Sequence, residues 1–260
     1  MLYLLAIDKR KNTERRNGEE IVPIILRIDV DNPYGWFSFH KKVLNYFSLN
    51  FKRLPIRHNF LGYLDQAKSL FKVLEKAQIP ATWFFRVQTK PSKEFQQKLI
   101  KAKHEIAYHA ERTSSLRDFQ TDLKILSKNL PTPILGFSKH GSGKIKLSKY
   151  HTVEYNLDFL IKLGQDVGFK YFSGNDEIPT AQPIQKDKFL VFPGAFWLDE
   201  YYRDISKYNM NWLIKNVLKG KTFVVLTHPH KWAFSNKEKD DFQKLMESIN
   251  DFQTFSSMIS

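Results

Sequence analysis

Apolar runs alternate along the chain with segments of helical periodicity, which predicts βα units around a mainly parallel sheet. The first run, Ile21–Val30, is almost continuously apolar, as is typical of a strand buried on both faces. Further strands are predicted in the segments ATWFFRV, HEIAYH, ILGFS, FKYFSG, FLVFPGAFW and TFVVLTH. We therefore expect a single α/β domain over residues 1–260, folded as a distorted (β/α) barrel of about seven strands.

Helices are predicted between these strands from the spacing of apolar residues and from residues that begin or end helices. They lie at Gly62–Gln78, Ser92–Ala102, Ser115–Asn129, Tyr155–Gly168, Tyr208–Lys219 and Lys237–Ile249. Ser92 is placed to cap the second of these helices, and Pro131 ends the third. The sequence shows no internal repeat and no low-complexity linker, so nothing in it divides the predicted domain.

Composition restricts the chemistry that the chain can support. It contains no cysteine, which excludes disulfides and thiolate metal sites, so any metal ligands must come from His, Asp or Glu. The opening MLYLLAIDKRK is a poor signal peptide, and no window approaches the roughly 20 apolar residues that span a bilayer. We therefore expect a cytoplasmic protein without a transmembrane segment.

The chain is basic, with a formal net charge of +14. Such a charge attracts phosphates, anionic lipids or acidic glycans. The lysines are scattered through nearly every predicted helix, however, which favours a solvated surface over an interaction tail. The sequence contains no nucleic-acid-binding motif, and we expect no nucleic-acid partner.

Polar residues that could carry chemistry stand at the ends of the predicted strands, where ligands bind in α/β barrels. They are Asp29, Asp31, His109, His140, His228 and His230. Asp29 and Asp31 are two residues apart, so in an extended strand they point to the same face. Two carboxylates on one face repel each other, and one of them tends to bind a cation or hold a proton. A polar turn before Asn32-Pro33 is the alternative.

Four short motifs then resemble the successive motifs of the polysaccharide deacetylase (NodB-homology) family. They are ILRIDVDN, IPATWFF, KHEIAYHAERT and FVVLTHPHKW, and they occur in the family's order over roughly residues 21–235. The resemblance implies a distorted (β/α) barrel and a metal-dependent hydrolase that removes acetyl from an N-acetylated sugar. A divalent metal, Zn²⁺ first among the candidates, is the cofactor that it implies.

The resemblance also implies roles for individual residues. Asp29 matches the family's catalytic base, and Asp31 matches its metal-binding aspartate, with Val30 between them. His109 matches the first metal histidine. His228 matches the late histidine that acts as general acid or polarises the leaving group.

The chain departs from the family pattern at two places. The second metal histidine falls on Thr113, and the strand-end motif that orients the base falls near Ser138-Lys139-His140. A site with three protein ligands therefore needs a replacement. His140 is the first candidate, since it lies at a strand end in a glycine-rich turn; His151 and Glu111 are the alternatives.

Substrate binding is expected from residues near these strand ends. Lys139, Trp197 and Trp232 are the candidates, with Tyr34 as a further aromatic wall, although aromatic residues pack in cores as readily as they stack on sugars. The expected function is deacetylation of an N-acetylated sugar or glycan precursor in cell-surface polysaccharide biosynthesis. The alternatives are an amidohydrolase for a non-sugar amide and an inactive glycan-binding protein on the same fold.

Overall fold

A sheet of ten strands forms the centre of the computed structural model, which describes residues 23–35, 39–50, 59–141, 156–176, 179–219 and 221–259. The strands are β1 (Ile24–Val30), β2 (Thr82–Phe85), β3 (Glu105–Ala110), β4 (Gly136–Lys139), β5 (Tyr171–Asp176), β6 (Ile184–Lys186), β7 (Phe189–Gly194), β8 (Phe196–Trp197), β9 (Phe223–Thr227) and β10 (Phe252–Gln253). The helices are α1 (Phe39–Asn50), α2 (Asp65–Ala77), α3 (Lys93–Lys101), α4 (Leu116–Ser127), α5 (Leu157–Asp166), α6 (Met210–Val217), α7 (Pro229–Trp232) and α8 (Asn236–Ser248). Short 3₁₀ segments occupy Asn59–Leu61, Glu200–Tyr202 and Ser256–Met258. Among the described helices, none has the length and apolar character needed to cross a membrane.

The strand order confirms the predicted α/β barrel. The neighbours in the sheet are β6-β7-β5-β4-β3-β2-β1-β9-β8, and β10 pairs with β1. Each pairing is parallel except that of β6 with β7. Two strands that were not predicted, β6 and β10, are three and two residues long, which is too short for a periodic signal.

The prediction of FLVFPGAFW as one strand is wrong, because the segment forms two strands with different partners. β7 pairs with β5, whereas β8 pairs with β9. A single residue, Ala195, joins β7 to β8. The chain therefore passes directly from β7, beside β5, to β8, beside β9, and so connects opposite ends of the curled sheet. This connection distorts the barrel at this point.

Two apolar cores lie on opposite faces of the sheet. The larger one packs alternate strand residues against the helices, and β1 contributes Ile24, Leu26 and Ile28 to it. The smaller one fills the barrel interior with Ile25, Phe84, Ala107, Tyr171, Phe192, Ala195, Val224, Leu226 and Phe255. Burial on both faces explains why β1 is a nearly continuous apolar run.

The six predicted helices correspond to α2 to α6 and α8, with ends shifted by a few residues. Ser92 caps α3 as expected, since its hydroxyl accepts a hydrogen bond from the backbone N–H of Phe95 at 3.3 Å. The helices α1 and α7 were not predicted. The predicted first residues of two elements, Ile21 and Tyr155, lie outside the described residues.

Candidate active site

The barrel interior changes from apolar to polar toward the carboxyl ends of the strands, which we call the top. Inward-facing side chains recur at every second residue of a strand. They are Ile25, Arg27 and Asp29 on β1, Ala107 and His109 on β3, and Val224, Leu226 and then His228 along and after β9. The polar strand ends found in the sequence therefore converge at the top of one interior.

Three side chains at the top place their ligand atoms within reach of one metal ion. Asp31 Oδ1 lies 3.0 Å from His109 Nε2 and 3.1 Å from His140 Nδ1. The two ring nitrogens are 3.2 Å apart. Asp31 follows β1, His109 lies in β3 and His140 follows β4, so separate segments of the sheet supply the ligands. We call these three residues the ligand cluster.

The donor atoms of the ligand cluster fit a divalent metal ion. Asp31 Oδ1 is buried and has no hydrogen-bond partner of good geometry among the described residues. Lone pairs that face one another at this distance repel unless a cation or a proton lies between them. A carboxylate oxygen and two imidazole nitrogens are Zn²⁺ ligands, and three protein ligands leave a position for water or substrate.

Protonation equilibria favour the metal-binding forms of these side chains. Burial raises the pKa of Asp31, but the charges of His140 and His228 outweigh it and hold that pKa well below its ordinary value. Burial lowers the pKa of His140 to about 4, and the charge of Arg86 contributes in the same direction. At neutral pH the aspartate is a carboxylate and His140 a neutral imidazole, as metal binding requires.

Further contacts orient the ligands. His109 Nδ1 lies 2.7 Å from the hydroxyl oxygen of Ser138 on β4, a contact that fixes the plane of the imidazole ring. Arg86 Nη1 donates to the backbone carbonyl of Asp31 at 2.9 Å, and the hydroxyl of Thr89 donates to the carbonyl of Val30 at 2.7 Å. These bonds hold the end of β1, and therefore Asp31, in place.

Asp29 lies beside the ligand cluster and is held by an arginine of its own strand. Arg27 Nε donates to Asp29 Oδ1 at 2.8 Å, and Arg27 Nη2 donates to Asp29 Oδ2 at 2.6 Å. The same Oδ2 lies 3.5 Å from His109 Nε2. Burial raises the pKa of Asp29, but the charges of Arg27 and His109 bring it below its ordinary value. Asp29 is therefore an ionised carboxylate next to the ligand cluster.

The sequence reasoning missed Arg27, although a signal for it was present. Arg27 is the single charged residue within the apolar part of β1 that precedes Asp29, and it is fully buried. It stands two positions before Asp29, so both side chains face the barrel interior. A lone arginine inside a buried strand requires a buried partner, and the nearby aspartate was the obvious one.

His228 joins the site from β9. Its Nε2 lies 3.4 Å from Asp31 Oδ2, and its ring lies 5.7 Å from the ring of Trp197. The ring of Trp197 also contacts Tyr202, at 5.0 Å. Trp197, a candidate for substrate binding, therefore lies beside the candidate acid.

The other candidates for substrate binding make different contacts. Lys139 is buried, and its Nζ donates to the carbonyls of His140 at 3.1 Å and Gly141 at 3.4 Å, which supports the turn that carries His140. Trp232 packs against the larger core and beneath Lys239. Tyr34 is 1% exposed and packs in the same core, so it does not form an open aromatic wall.

The geometry also separates the alternatives for the third ligand. His140 points at Asp31 and His109, as described above. Glu111 instead accepts hydrogen bonds from Arg86 Nη2 at 2.5 Å and from Gln88 Nε2 at 3.1 Å. His151 lies outside the described residues. Among the residues that the structure describes, His140 therefore completes the cluster.

Comparison with known proteins adds information about the fold. No protein-family model matches the sequence, and no curated protein matches it. Among solved structures, the chain is similar to a protein described as a polysaccharide deacetylase from Mycobacterium smegmatis, with a TM-score of 0.55, 15% identity, and coverage of 94% of this chain and 90% of that chain. It is also similar to Puue allantoinase, with a TM-score of 0.57, 13% identity, and coverage of 94% and 91%.

A CE4 family pseudoenzyme from Bacillus anthracis matches over 92% of this chain, with 11% identity and a TM-score of 0.48, and the chain spans 65% of the length of that protein. Identities in this range concern the fold. The predicted likeness to polysaccharide deacetylases is thus confirmed for the fold, which is a distorted barrel of the NodB-like type.

Proposed function

We propose that this protein is a metal-dependent deacetylase that removes acetyl from an N-acetylated sugar. In this proposal Asp31, His109 and His140 bind the metal ion, Asp29 is the general base and His228 is the general acid. The observation that carries the proposal is the convergence of Asp31 Oδ1, His109 Nε2 and His140 Nδ1, whose separations are 3.0 to 3.2 Å.

The residues around the ligand cluster can perform an amide hydrolysis. A bound Zn²⁺ would acidify a water molecule and polarise the acetamide carbonyl. Asp29, ionised and adjacent to the cluster, accepts the proton of the attacking water as that water adds to the carbonyl carbon. His228 donates a proton to the sugar nitrogen as its bond to the carbonyl carbon breaks. The products are acetate and an amino sugar.

A sugar substrate is supported by the surroundings of His228. Trp197 presents an aromatic ring next to this histidine, and sugar rings stack on such rings. We propose a glycan precursor of cell-surface polysaccharide as the substrate, since we expect a cytoplasmic protein. Lys139 supports the turn of His140 in this account, so we propose an indirect role for it.

A hydrolase of non-sugar amides is a second candidate. The chemistry above requires an amide carbonyl and an amine leaving group, and neither needs a sugar. The fold is shared with Puue allantoinase as well as with a protein described as a deacetylase, so the fold does not decide between the substrates. An inactive glycan-binding protein is a third candidate, which Thr113 favours because it stands at the position of the family's second metal histidine.

Metal content and product release test the proposal together. We expect about one Zn²⁺ per chain by elemental mass spectrometry. We also expect acetate release from N-acetylglucosamine oligomers, no acetate release from N-acetyl amino acids, and no ring opening of allantoin. His140→Gln should lose the metal and the activity. Its matched control is His104→Gln, because His104 is also buried but accepts a hydrogen bond from the backbone N–H of Ala81 at 3.0 Å.

Each outcome has a clear meaning. Wild-type protein that takes up no Zn²⁺ after its addition would rule out the metal site and leave glycan binding as the function to test. Metal-loaded protein that hydrolyses only the non-sugar amides would establish the second candidate. Equal loss of metal in His104→Gln and His140→Gln would mean that the losses come from unfolding.

A further inference from the structure

Arg27 is buried in the barrel interior and donates hydrogen bonds to several residues there. It is fully buried, and its guanidinium lies 5.1 Å from the centre of the Phe84 ring. Nε and Nη2 donate to Asp29, and Nη2 also donates to Asn175 Oδ1 at 2.7 Å. Nη1 donates to the Ser173 hydroxyl at 3.0 Å and to the Gly174 carbonyl at 2.7 Å. Every guanidinium nitrogen therefore has an acceptor.

An irregularity in β5 creates this set of acceptors. The register of β5 against β7 shifts between Ser173 and Asp176. A bulge of this kind turns backbone carbonyls and side chains away from the regular ladder. Here the residues within the shift, Gly174 and Asn175, present oxygen atoms to Arg27 from across the barrel. The guanidinium plane is thus fixed from the side opposite Asp29.

We propose that Arg27 is the positioning residue for Asp29, an inference that rests on the proposed function. Two donors in one plane bind both carboxylate oxygens, which fixes the rotation of the carboxylate about its bond to Cβ. Each oxygen keeps a second lone pair. The lone pair that remains on Oδ2 lies on the side of the ligand cluster, where His109 Nε2 is 3.5 Å away. Arg27 acts through Asp29 and does not touch the substrate.

Lysine cannot replace Arg27 in this role. An ammonium group is a point charge that binds one carboxylate oxygen well, and it cannot reach Asp29 and the β5 acceptors in one fixed plane. Arg27→Lys keeps the positive charge but removes the pair of donors that binds both oxygens of Asp29. A small displacement of a catalytic group lowers the rate by about 10- to 100-fold without preventing substrate binding. We therefore expect Arg27→Lys to lower kcat by about that factor, with KM and the Zn²⁺ content unchanged.

A double-mutant comparison tests whether Arg27 acts through Asp29. In the Asp29→Asn background the carboxylate is gone, so adding Arg27→Lys should lower kcat no further. Arg112→Lys is the matched control. Arg112 also forms a two-pronged pair with a buried aspartate, Asp122, outside the barrel interior. This variant should keep the kcat of the wild type.

A milder variant covers the case in which Arg27→Lys does not fold. Ser173→Ala removes one acceptor of Arg27 Nη1 and leaves the pair with Asp29 intact. We expect this variant to fold and to show a kcat about 3- to 10-fold lower at unchanged KM, because the guanidinium is held less firmly. A wild-type kcat in both folded variants would overturn the role of Arg27. So would a double variant, Arg27→Lys with Asp29→Asn, whose decrease in kcat equals the product of the two single decreases.

The wild-type protein separates the two proposals. If it binds Zn²⁺ and releases acetate while Arg27→Lys keeps its kcat, the assignment of Arg27 fails and the proposed function stands. If the wild type releases no product from any amide, the proposed function fails, and the role of Arg27 as a positioning residue fails with it.

Discussion

The barrel interior holds carboxylates at both ends, and their surroundings differ. At the amino ends of the strands, the bottom, Glu105 accepts hydrogen bonds from the Thr82 hydroxyl at 2.8 Å, the Ser256 backbone N–H at 3.0 Å and the Tyr171 hydroxyl at 3.0 Å. At the top, Asp31 faces three histidines, and its Oδ1 has no hydrogen-bond partner of good geometry among the described residues. Neutral hydrogen-bond donors satisfy the bottom carboxylate, whereas the top carboxylate remains able to bind a metal ion.

The pKa values follow the same division. Burial raises the pKa of Glu105, and its hydrogen bonds only partly oppose this effect. Burial also acts on Asp29, but the charge of Arg27 brings that pKa below its ordinary value. Neutral donors satisfy the geometry of a carboxylate, whereas a neighbouring cation stabilises its charge. Shifted groups that also converge on one another, as at the top, are typical of functional sites.

The C-terminal segment closes the bottom of the barrel. Phe255 is fully buried there. Its ring lies 5.7 Å from that of Phe84, 4.8 Å from that of Tyr171 and 4.7 Å from that of Phe192. This end of the barrel is therefore packed by the chain itself, and its role is structural. If function and stability divide between the ends in this way, substitutions at the top should lower activity and substitutions at the bottom should lower stability.

Replacement of Asp31 should have the largest effect on activity. Asp31→Ala removes one of the three proposed metal ligands, so we expect loss of bound Zn²⁺ and a decrease of acetate release on the order of 10³-fold or more. Elemental mass spectrometry and an acetate assay measure the two effects. The control is Asp122→Ala, which removes a buried aspartate outside the cluster and should keep the metal. Retention of one ion per chain by Asp31→Ala would contradict the site.

Replacement of Phe255 should have the largest effect on stability. Truncation of a fully buried phenylalanine lowers the free energy of unfolding by about 3–5 kcal/mol. We expect this loss for Phe255→Ala in denaturant unfolding, with unchanged Zn²⁺ content in the folded protein. Phe39→Ala is the control, because Phe39 is 84% exposed and its truncation should change stability by less than about 0.5 kcal/mol. Similar losses in the two variants would mean that the C-terminal segment does not plug the barrel.

Much of the fold was predictable, because buried parallel strands carry a strong apolar signal. Each of the seven predicted segments contains a strand, from Ile24–Val30 to Phe223–Thr227, although one of the segments forms two strands. The apolar pattern does not reveal the break at Ala195, since β7 and β8 are both apolar and pair with different strands. Pairing of this kind depends on the three-dimensional path of the chain.

The candidate site was predictable where chemistry coincides with strand ends. Asp29, Asp31, His109 and His228 each stand at such an end, and the structure brings them together. The contact of His140 with Asp31 depends on the neighbouring positions of β4 and β3, which spacing along the chain does not specify. The acceptors that β5 offers to Arg27 lie 146 to 148 residues away in the sequence and left no local signal.

Glu105 allows the bottom network to be tested with a pair of variants. Glu105→Ala leaves the donors of Thr82, Ser256 and Tyr171 without their acceptor, which should lower the free energy of unfolding by about 1–3 kcal/mol. Glu105→Gln keeps one acceptor oxygen and should lose less. Denaturant unfolding measures both, and acetate release should change in neither folded variant. A kcat effect as large as that of Asp31→Ala would show that the two ends are not independent.

Glu238 does not follow a simple division between the top and the bottom of the barrel. Glu238 lies in α8 near the top, where the Thr227 hydroxyl donates to its Oε1 at 3.3 Å. Burial raises its pKa from 4.5 to about 7, and the charge of Asp199 adds to the increase. A carboxylate near the site thus behaves like the one at the bottom, because burial outweighs the neighbouring donors in both cases.

The sign of the pH effect follows from proton linkage. The folded state binds the Glu238 proton more tightly than the unfolded state, so this contribution to stability is complete below pH 4.5 and is lost as the pH rises through about 7. Glu238→Gln cannot titrate. Between pH 5.5 and 7.5, the free energy of unfolding should fall on the order of 1 kcal/mol more in the wild type than in Glu238→Gln. Denaturant unfolding at both pH values measures the difference, and since all other groups are common to both proteins, parallel pH profiles would mean that Glu238 is ionised throughout. In that case a positive charge nearby, such as that of Lys231, would keep Glu238 ionised. Glu238 would then resemble Asp29, whose charge is stabilised by a neighbouring cation.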